Sequence, residues 1–227
     1  MKEDFLEERL IDRKIDGLFR QLGHTGAQAD FCSDDYLGFA RRPMPGELPA
    51  GSTGSRLLTG NSGRAEALEA DIARFHDAEA ALLFSSGYAA ALALAGCLPQ
   101  PADLLLYDRL SYACISDGLR LGRANADAYT HNDLNDLERK LQVETGAQKF
   151  VFTESVFGID GDTAPLDKIA DVCDRYEAHL VVDESHALGV IGHEGEGLVQ
   201  QFGVQQRCFA RLYGFGKAAG AQGAAVL

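Results

Sequence analysis

The feature that most constrains the fold of this chain is a regular alternation of short apolar runs and amphipathic stretches after residue 63. The runs are apolar throughout instead of alternating with polar residues, which is typical of strands covered on both faces. Strands that alternate with helices favour an α/β sheet of mostly parallel strands, flanked by helices. The predicted strands are residues 80–84, 104–107, 150–153, 179–182 and 209–213, and the predicted helices are residues 65–76, 89–98, 112–121, 134–141 and 166–176.

The N-terminal region has a different pattern. Apolar residues recur at three- and four-residue intervals from Ile11 to Leu22, which predicts an amphipathic helix that ends near Gly23. Residues 30–33 predict a short strand, and residues 41–63 form a loop rich in Pro, Gly, Ser and Thr. The predicted domains are an N-terminal helix and arm over residues 1–45 and a larger α/β domain over residues 46–227.

The composition excludes two classes of partner. Asp and Glu number 34 against 21 Lys and Arg, which gives a formal net charge of −13. A surface this acidic repels nucleic acids and anionic membranes. The longest apolar stretch, residues 78–99, is interrupted by Glu79 and Gly87, so it predicts a strand and a helix instead of a membrane span. The charged N-terminus predicts no signal peptide and a cytoplasmic protein.

The five cysteines are odd in number, scattered, and never in a Cys-x-x-Cys spacing. Disulfide frameworks and zinc sites both need closer, paired spacing. We therefore predict no metal site, and reduced cysteines that act as small core residues. The cysteines are Cys32, Cys97, Cys114, Cys173 and Cys208.

Polar residues directly follow the predicted strands. In open α/β sheets the ligand binds at the carboxyl ends of the strands, so these residues are the candidates for chemistry. They are Ser85, Ser86, Gly87 and Tyr88; Asp108 and Arg109; His131 and Asn132; Glu154 and Ser155; Asp183, Glu184, Ser185 and His186; and Gly214, Phe215, Gly216 and Lys217.

Lys217 is the candidate nucleophile. It lies among glycines and small residues, where desolvation lowers the pKa of an amine and allows it to form a Schiff base with an aldehyde such as pyridoxal phosphate. That cofactor also needs an acid beside its ring nitrogen, for which Asp183 is placed. Gly87 and Tyr88 open a helix whose free N–H groups favour a phosphate. Tyr112 opens the next helix and can stack on the ring.

A nucleotide hydrolase is the alternative interpretation of the segment from Asp183 to His186. In that interpretation the acids hold Mg²⁺, which requires a Gly-x-x-x-x-Gly-Lys-Ser/Thr phosphate loop earlier in the chain. The sequence has a single Gly-Lys pair, Gly216-Lys217, which lies downstream and is followed by Ala218. This alternative is therefore disfavoured.

Several long motifs, in order, resemble the α-oxoamine synthase family. The resemblance implies fold type I of the pyridoxal-phosphate enzymes, with the large domain present and the C-terminal small domain absent from this chain. It implies a homodimer with the active site at the subunit interface. It also implies condensation of an amino acid, alanine by resemblance, with an acyl-CoA or acyl-carrier-protein thioester and loss of CO₂. The motifs are residues 32–38, 51–61, 154–162, 182–190 and 214–217.

The resemblance assigns roles one residue at a time. Lys217 matches the lysine that binds the cofactor covalently and acts as acid and base. Asp183 matches the partner of the pyridinium nitrogen, and His186 the residue near the phenolic oxygen. Gly87 and Tyr88 match the glycine-aromatic pair beside the phosphate.

The chain also departs from the family pattern. Tyr112 stands where a His usually stacks on the ring, Gly158 where a Ser contacts the cofactor, and Gly214 where a Thr donates to the phosphate. Asp34 replaces an Asn, and Arg20 matches an arginine that meets the acyl substrate. Two alternatives therefore stay open: a glycine- or serine-using relative, and a catalytically degenerate homologue that dimerises.

Overall fold

The structure, a computed structural model, describes residues 4–22, 29–43, 51–143 and 147–227. The chain divides into an N-terminal unit of residues 1–33 and a larger unit of residues 34–227. The predicted domain boundary between residues 45 and 46 lies outside the described residues and stays a prediction.

The larger unit is organised around one sheet with the strand order β1-β7-β6-β5-β4-β2-β3. Strands β2 to β6 pair in parallel, whereas β7 is antiparallel to both of its neighbours, β1 and β6. The prediction of a mostly parallel α/β sheet is confirmed. The strands are β1 (Leu82–Phe84), β2 (Leu104–Asp108), β3 (Asn125–Tyr129), β4 (Lys149–Glu154), β5 (Ala178–Asp183), β6 (Cys208–Gly214) and β7 (Ala224–Val226).

Three of the helices, α2, α3 and α5, begin at side-chain caps. Ser86 Oγ accepts a hydrogen bond from Ala89 N at 3.1 Å, and Asp133 Oδ1 accepts one from Asn135 N at 2.9 Å. Such caps satisfy N–H groups that the first helical turn leaves without partners. The helices are α1 (Asp4–Ile15), α2 (Gly63–Phe75), α3 (Gly87–Cys97), α4 (Ala113–Leu121), α5 (Leu134–Leu141), α6 (Leu166–Arg175) and α7 (Leu198–Gln201), with short 3₁₀ helices at Phe39–Arg41 and Gln205–Arg207.

The core lies on both faces of the sheet. Because side chains alternate along a strand, neighbouring residues of β5 enter different clusters. Val181 packs with α3 and α4, whereas Leu180 and Val182 pack with α5, α6 and α7. Burial on both faces explains why the strands are apolar throughout.

The N-terminal helix is shorter than predicted. Helix α1 ends at Ile15, and Leu18 N donates to Arg13 O at 2.8 Å, across Gly17 with φ +69°. This is a Schellman C-cap, in which a left-handed glycine ends the helix. The prediction that the helix continues to Leu22 is wrong, and Gly23 lies outside the described residues.

The predicted strand over residues 30–33 is absent. Asp30 Oδ1 accepts hydrogen bonds from the backbone N–H groups of Cys32 and Ser33, both at 3.0 Å. An Asp side chain that bonds to the following backbone forms a turn, so it competes with a strand.

The prediction of core cysteines is right for some thiols and wrong for others. Cys114 and Cys173 are buried, whereas Cys32 and Cys97 are exposed. Cys32 follows the turn at Asp30, and Cys97 is the last residue of α3, so neither lies on a core-facing position.

Two strands and one α-helix of the described residues were not predicted: β3, β7 and α7. Strand β3 has the sequence Asn-Ala-Asp-Ala-Tyr, residue types that are mostly depleted in strands. Strand β7 has three residues and α7 four, too few for a periodic signal. β3 is therefore a strand because it pairs with β2, and β7 is a strand because it pairs with β1 and β6.

Within the described ranges, the helices are too short or too polar to cross a bilayer. Across the same residues, no group of three or more His, Cys, Asp or Glu side chains is arranged to hold a metal ion.

Candidate active site

The six residues that we predicted to bind a cofactor line one cavity of about 350 Å³. It lies at the carboxyl ends of β4, β5 and β6 and at the N-termini of α3 and α4. The six are Gly87, Tyr88, Tyr112, Asp183, His186 and Lys217, and the cavity also contacts Asp34, Leu110, Cys114, Glu154, Gly158, Ile159, Ser185, Gly214 and Gly216.

Lys217 lies in the turn that joins β6 to β7, where its side chain is partly buried. Gly220 N donates to Lys217 O at 2.9 Å and helps to close this turn. Gly220 has φ +60°, and a β-carbon there would lie 2.3 Å from Ala40 N. Only glycine therefore allows the turn to approach residues 39–40 this closely.

Asp183 is the last residue of β5 and is held by its neighbours. Its Oδ1 accepts a hydrogen bond from Ser185 N at 2.8 Å, and its carbonyl accepts one from Ser155 N at 2.9 Å. These bonds fix a carboxylate at the edge of the cavity, where it could pair with a ring cation.

His186 is oriented by Tyr36, a residue that sequence reasoning did not assign to the site. Tyr36 Oη lies 2.8 Å from His186 Nδ1. Burial of the imidazole and then the charge of Lys217 lower the pKa of His186. A neutral ring has one N–H, and in the tautomer in which Nδ1 accepts the hydrogen bond from the Tyr36 hydroxyl that N–H is on Nε2. A β-carbon at Gly158 would lie 2.5 Å from this Nε2.

The first turn of α3 offers a site for an anion. Ser86 caps the helix, and Gly87 and Tyr88 are its first residues. Their N–H groups lie in the turn that lacks intrahelical partners, and the helix dipole also favours negative charge there. A β-carbon at Gly87 would lie 3.7 Å from Gly214 Cα, so this corner is lined by backbone.

The two tyrosines differ in their contacts. The Tyr88 hydroxyl donates to Asp117 Oδ2 at 2.8 Å, which fixes this ring against α4. Tyr112 is the N-cap residue of α4, and its side chain is 62% exposed. Tyr112 therefore presents a ring with room for a planar ligand beside it.

Glu154 is the second residue to which sequence reasoning assigned no role, although the strand-end pattern included it. It is 4% exposed, and its Oε1 accepts a hydrogen bond from Tyr112 N at 2.6 Å. Burial and then the nearby Asp183 raise its pKa to about 7, against the opposing charge of Lys217. Glu154 therefore exchanges its proton near neutral pH, inside the cavity.

Glu184 has a structural environment. It is buried, and its carboxylate accepts hydrogen bonds from Ser155 Oγ at 2.9 Å and from Leu198 N at 3.0 Å. Its side chain joins the end of β5 to α7, and Glu184 does not line the cavity. Asp183 lines the cavity and Glu184 does not, so the two acids of the nucleotide-hydrolase alternative do not face the same site.

At both departures to glycine, a neighbouring side chain lies close to where a β-carbon would be. The ring of His186 occupies the space of a side chain at Gly158. At Gly214 a β-carbon would lie 2.8 Å from Ser185 Oγ, which accepts a hydrogen bond from Gly214 N at 2.9 Å. Ser185 therefore supplies a hydroxyl at the cavity wall where position 214 has none.

The donor set fits pyridoxal phosphate. A primary amine, a carboxylate, an imidazole N–H, an aromatic ring and a helix N-terminus surround one cavity of ligand size. Each matches one part of the cofactor: aldehyde, ring nitrogen, phenolic oxygen, ring face and phosphate.

Arg20 is exposed and belongs to the N-terminal unit of residues 1–33. Its match to an arginine that meets the acyl substrate stays a prediction.

The chain is similar to curated and solved synthases. It is 42% identical over 214 residues to 8-amino-7-oxononanoate synthase 2 of Bacillus subtilis, covering 93% of this chain and 54% of that protein. A serine palmitoyltransferase of Sphingomonas wittichii has a TM-score of 0.81 and 31% identity, covering 86% of this chain and 51% of that one. A serine palmitoyltransferase structure with the PLP internal aldimine has a TM-score of 0.79 and 28% identity, with the same two coverages, 86% and 51%.

This chain spans about half the length of these relatives. The family model for aminotransferase class I and II matches residues 27–227, which include every cavity-lining residue named above. This chain therefore belongs to the aminotransferase class I and II family, and the resemblance seen in its motifs is confirmed at the family level.

Proposed function

We propose that this chain binds pyridoxal 5′-phosphate in the cavity around Lys217. The observation that carries the proposal is the convergence of Lys217, Asp183, His186 and the α3 N-terminus on one cavity. The serine palmitoyltransferase neighbour with PLP supports the same cofactor.

When bound, the cofactor supplies an electron sink for bonds broken at the amino-acid α-carbon. Lys217 would hold it through Nζ and then move a proton at that atom. The Asp183 carboxylate would keep the ring nitrogen protonated, because opposite charges favour the protonated form. His186 would donate from Nε2, oriented by Tyr36. The N–H groups of Gly87 and Tyr88 would bind the phosphate.

We further propose that the reaction joins an amino acid to an acyl thioester with loss of CO₂. The Bacillus subtilis relative, an 8-amino-7-oxononanoate synthase, supports this type of reaction and a role in biotin synthesis. Alanine is the amino acid that the resemblance of the motifs implies. The acyl carrier is coenzyme A or an acyl-carrier protein. The predicted homodimer and cytoplasmic location belong to the same proposal.

The second candidate is a serine- or glycine-using synthase, which the serine palmitoyltransferase neighbours favour. A third, a catalytically degenerate homologue that dimerises, is favoured by the loss of side-chain hydroxyls at Gly158 and Gly214. These candidates differ in cofactor binding and in the amino acid consumed.

Borohydride reduction in the presence of pyridoxal phosphate tests the cofactor. We expect a pyridoxyl adduct on the Lys217 peptide by mass spectrometry, and none in Lys217→Ala. Lys168→Ala removes an exposed lysine of α6 and should leave labelling unchanged. A clean Lys217 peptide in the wild-type protein would support the degenerate homologue.

Release of CO₂ tests the substrate in protein that carries the adduct. Alanine, glycine and serine are each supplied with acyl-CoA thioesters. Turnover greatest with alanine supports the proposal, and turnover greatest with serine or glycine supports the second candidate. Adduct formation without turnover of any of the three would contradict both.

A further inference from the structure

His131 joins two loops that both carry cavity-lining residues. Its Nδ1 lies 2.8 Å from Asp108 Oδ1, and its Nε2 lies 2.8 Å from Asp162 Oδ2. Asp108 ends β2 and begins the loop of residues 108–112, which carries Leu110 to the cavity. Asp162 belongs to the loop of residues 155–163, which carries Gly158. His131 itself does not line the cavity.

The two distances indicate how many protons the His131 ring carries. A neutral imidazole has one N–H, so it would turn a lone pair toward one of the carboxylates at 2.8 Å. A doubly protonated ring donates to both. The charged groups that face the ring within the described residues are Asp108 and Asp162. Burial lowers the pKa of His131, but the bonds to both carboxylates outweigh it and raise the pKa above 6.5.

Each carboxylate is fixed to its own loop. Asp108 is buried and also accepts from Leu110 N and Asn132 N, both at 2.9 Å. The carbonyl of Asp162 accepts from Phe157 N at 2.9 Å, and the Phe157 ring meets His131 edge-on with centroids 4.5 Å apart. A change at the imidazole is therefore transmitted to both loops.

Glu154 connects the same loops on the cavity side. Its carboxylate accepts from Tyr112 N at 2.6 Å, and the backbone N–H of Gly158 is near enough to lower the pKa of Glu154. The two loops are thus connected at the cavity by Glu154 and outside it by His131 together with Asn132, whose backbone N–H donates to Asp108 Oδ2 and whose Nδ2 donates to Asp162 Oδ2, both at 2.9 Å.

We propose that doubly protonated His131 is a positioning residue that holds the 108–112 and 155–163 loops together and so sets the geometry of the cavity wall. This positioning role does not require a bound cofactor. Only the measurement of cofactor affinity rests on the proposed function.

Hydrogen exchange in protein without cofactor tests the bridge directly. His131→Gln should speed exchange of amides in residues 108–112 and 155–163 by about tenfold, the factor expected for one lost bond to a charged group. His193→Gln, at an exposed histidine, should leave these amides unchanged. Exchange in His131→Gln equal to that of wild type would overturn the proposal.

The ionisation of His131 provides an independent readout. NMR titration should show the ring still doubly protonated above pH 6.5. Asp162→Asn removes one carboxylate with little change in size and should lower that midpoint. A ring that is already neutral at pH 6.5 would contradict the bridge.

A pH profile separates positioning from a merely structural role. A raised pKa means that the bridge is complete at low pH and is lost as pH rises through the His131 midpoint. Affinity for pyridoxal phosphate should fall across that pH range in wild type and in His193→Gln. His131→Gln has no imidazole to lose a proton, so its affinity should not show this fall. Identical profiles in all three would reject positioning. If none of the proteins binds the cofactor, the proposed function fails, and hydrogen exchange still decides the bridge.

Discussion

At the scale of single residues, Gly158 shows how a missing side chain defines the site. A β-carbon there would lie 2.5 Å from His186 Nε2, so the imidazole fills the space that a larger residue would take. The hydrogen bond from Tyr36 at 2.8 Å holds the ring in that position. The glycine and the tyrosine together therefore determine where the His186 ring lies.

We predict that Tyr36→Phe weakens binding of pyridoxal phosphate by about fivefold, because one hydrogen bond contributes about 1 kcal/mol and its loss leaves Nδ1 without a fixed partner. Absorbance titration with the cofactor measures the change. Tyr176→Phe removes a hydroxyl that donates to Glu138 on the surface and should have no effect. Equal affinity in Tyr36→Phe and wild type would show that Tyr36 does not orient His186.

A second prediction at this scale concerns Glu154 and pH. Its pKa is raised to about 7, so ionisation costs more in the folded protein than in the unfolded chain. The favourable contribution of the protonated acid is complete below pH 4.5 and is lost as pH rises to about 7.

Glu154→Gln should remove this loss. The free energy of unfolding of Glu154→Gln minus that of wild type should increase by up to about 3 kcal/mol between pH 4.5 and pH 8. Denaturant titrations at several pH values measure the difference. Glu79→Gln, at an exposed position, is the control and should run parallel to wild type. A constant difference between Glu154→Gln and wild type would be the contrary result.

At the scale of elements, close packing of α3 against α4 depends on Gly118. A β-carbon there would lie 2.8 Å from Ala95 Cβ and 3.0 Å from Leu92 O. Because α3 and α4 begin at Gly87 and Ala113, their packing also places Tyr88 and Tyr112 at the cavity.

We predict that Gly118→Val lowers the free energy of unfolding by about 1–3 kcal/mol, the usual cost of overpacking. Thermal or denaturant unfolding measures it. Gly63→Ala is the matched control, because it is also a helical glycine and a β-carbon there meets no atom within 4 Å. A stable Gly118→Val protein would mean that α3 and α4 can separate at little cost.

At the scale of the whole molecule, the larger unit leaves apolar surface exposed. An open apolar cavity of about 530 Å³ is lined by α2 residues, including Leu68 and Phe75, which are 46% and 42% exposed. Exposed apolar patches and open sheet edges favour association.

We predict that the protein has a mass above its 24.4 kDa monomer in light scattering. Leu68→Glu places a charge in the apolar cavity and should reduce association. Leu121→Glu changes an exposed leucine at the end of α4, outside that cavity, and serves as the control. A monodisperse monomer that melts in one cooperative transition would contradict the prediction.

The parts of the site that could be predicted follow from local pattern. Asp183 ends a strand, Lys217 and His186 each lie three residues after a strand end, and a parallel sheet brings strand ends to one edge. Tyr36 could not be assigned this way, because it lies 150 residues from His186 in a segment without periodicity. Glu154 was in the strand-end pattern, but its role depends on burial and on its proximity to Asp183.

By itself the sequence determined the α/β class, most helices and strands, and the family, because hydrophobic periodicity and motif order are local properties of the chain. Only the tertiary structure decided that β7 inserts between β1 and β6, with Leu82 opposite Val226. That pairing brings the start of α3 beside the turn of Lys217. The physical reason is that backbone pairing between distant segments is selected by the packing of the whole sheet. A three-residue strand is too short to show a pattern from which that pairing could be predicted.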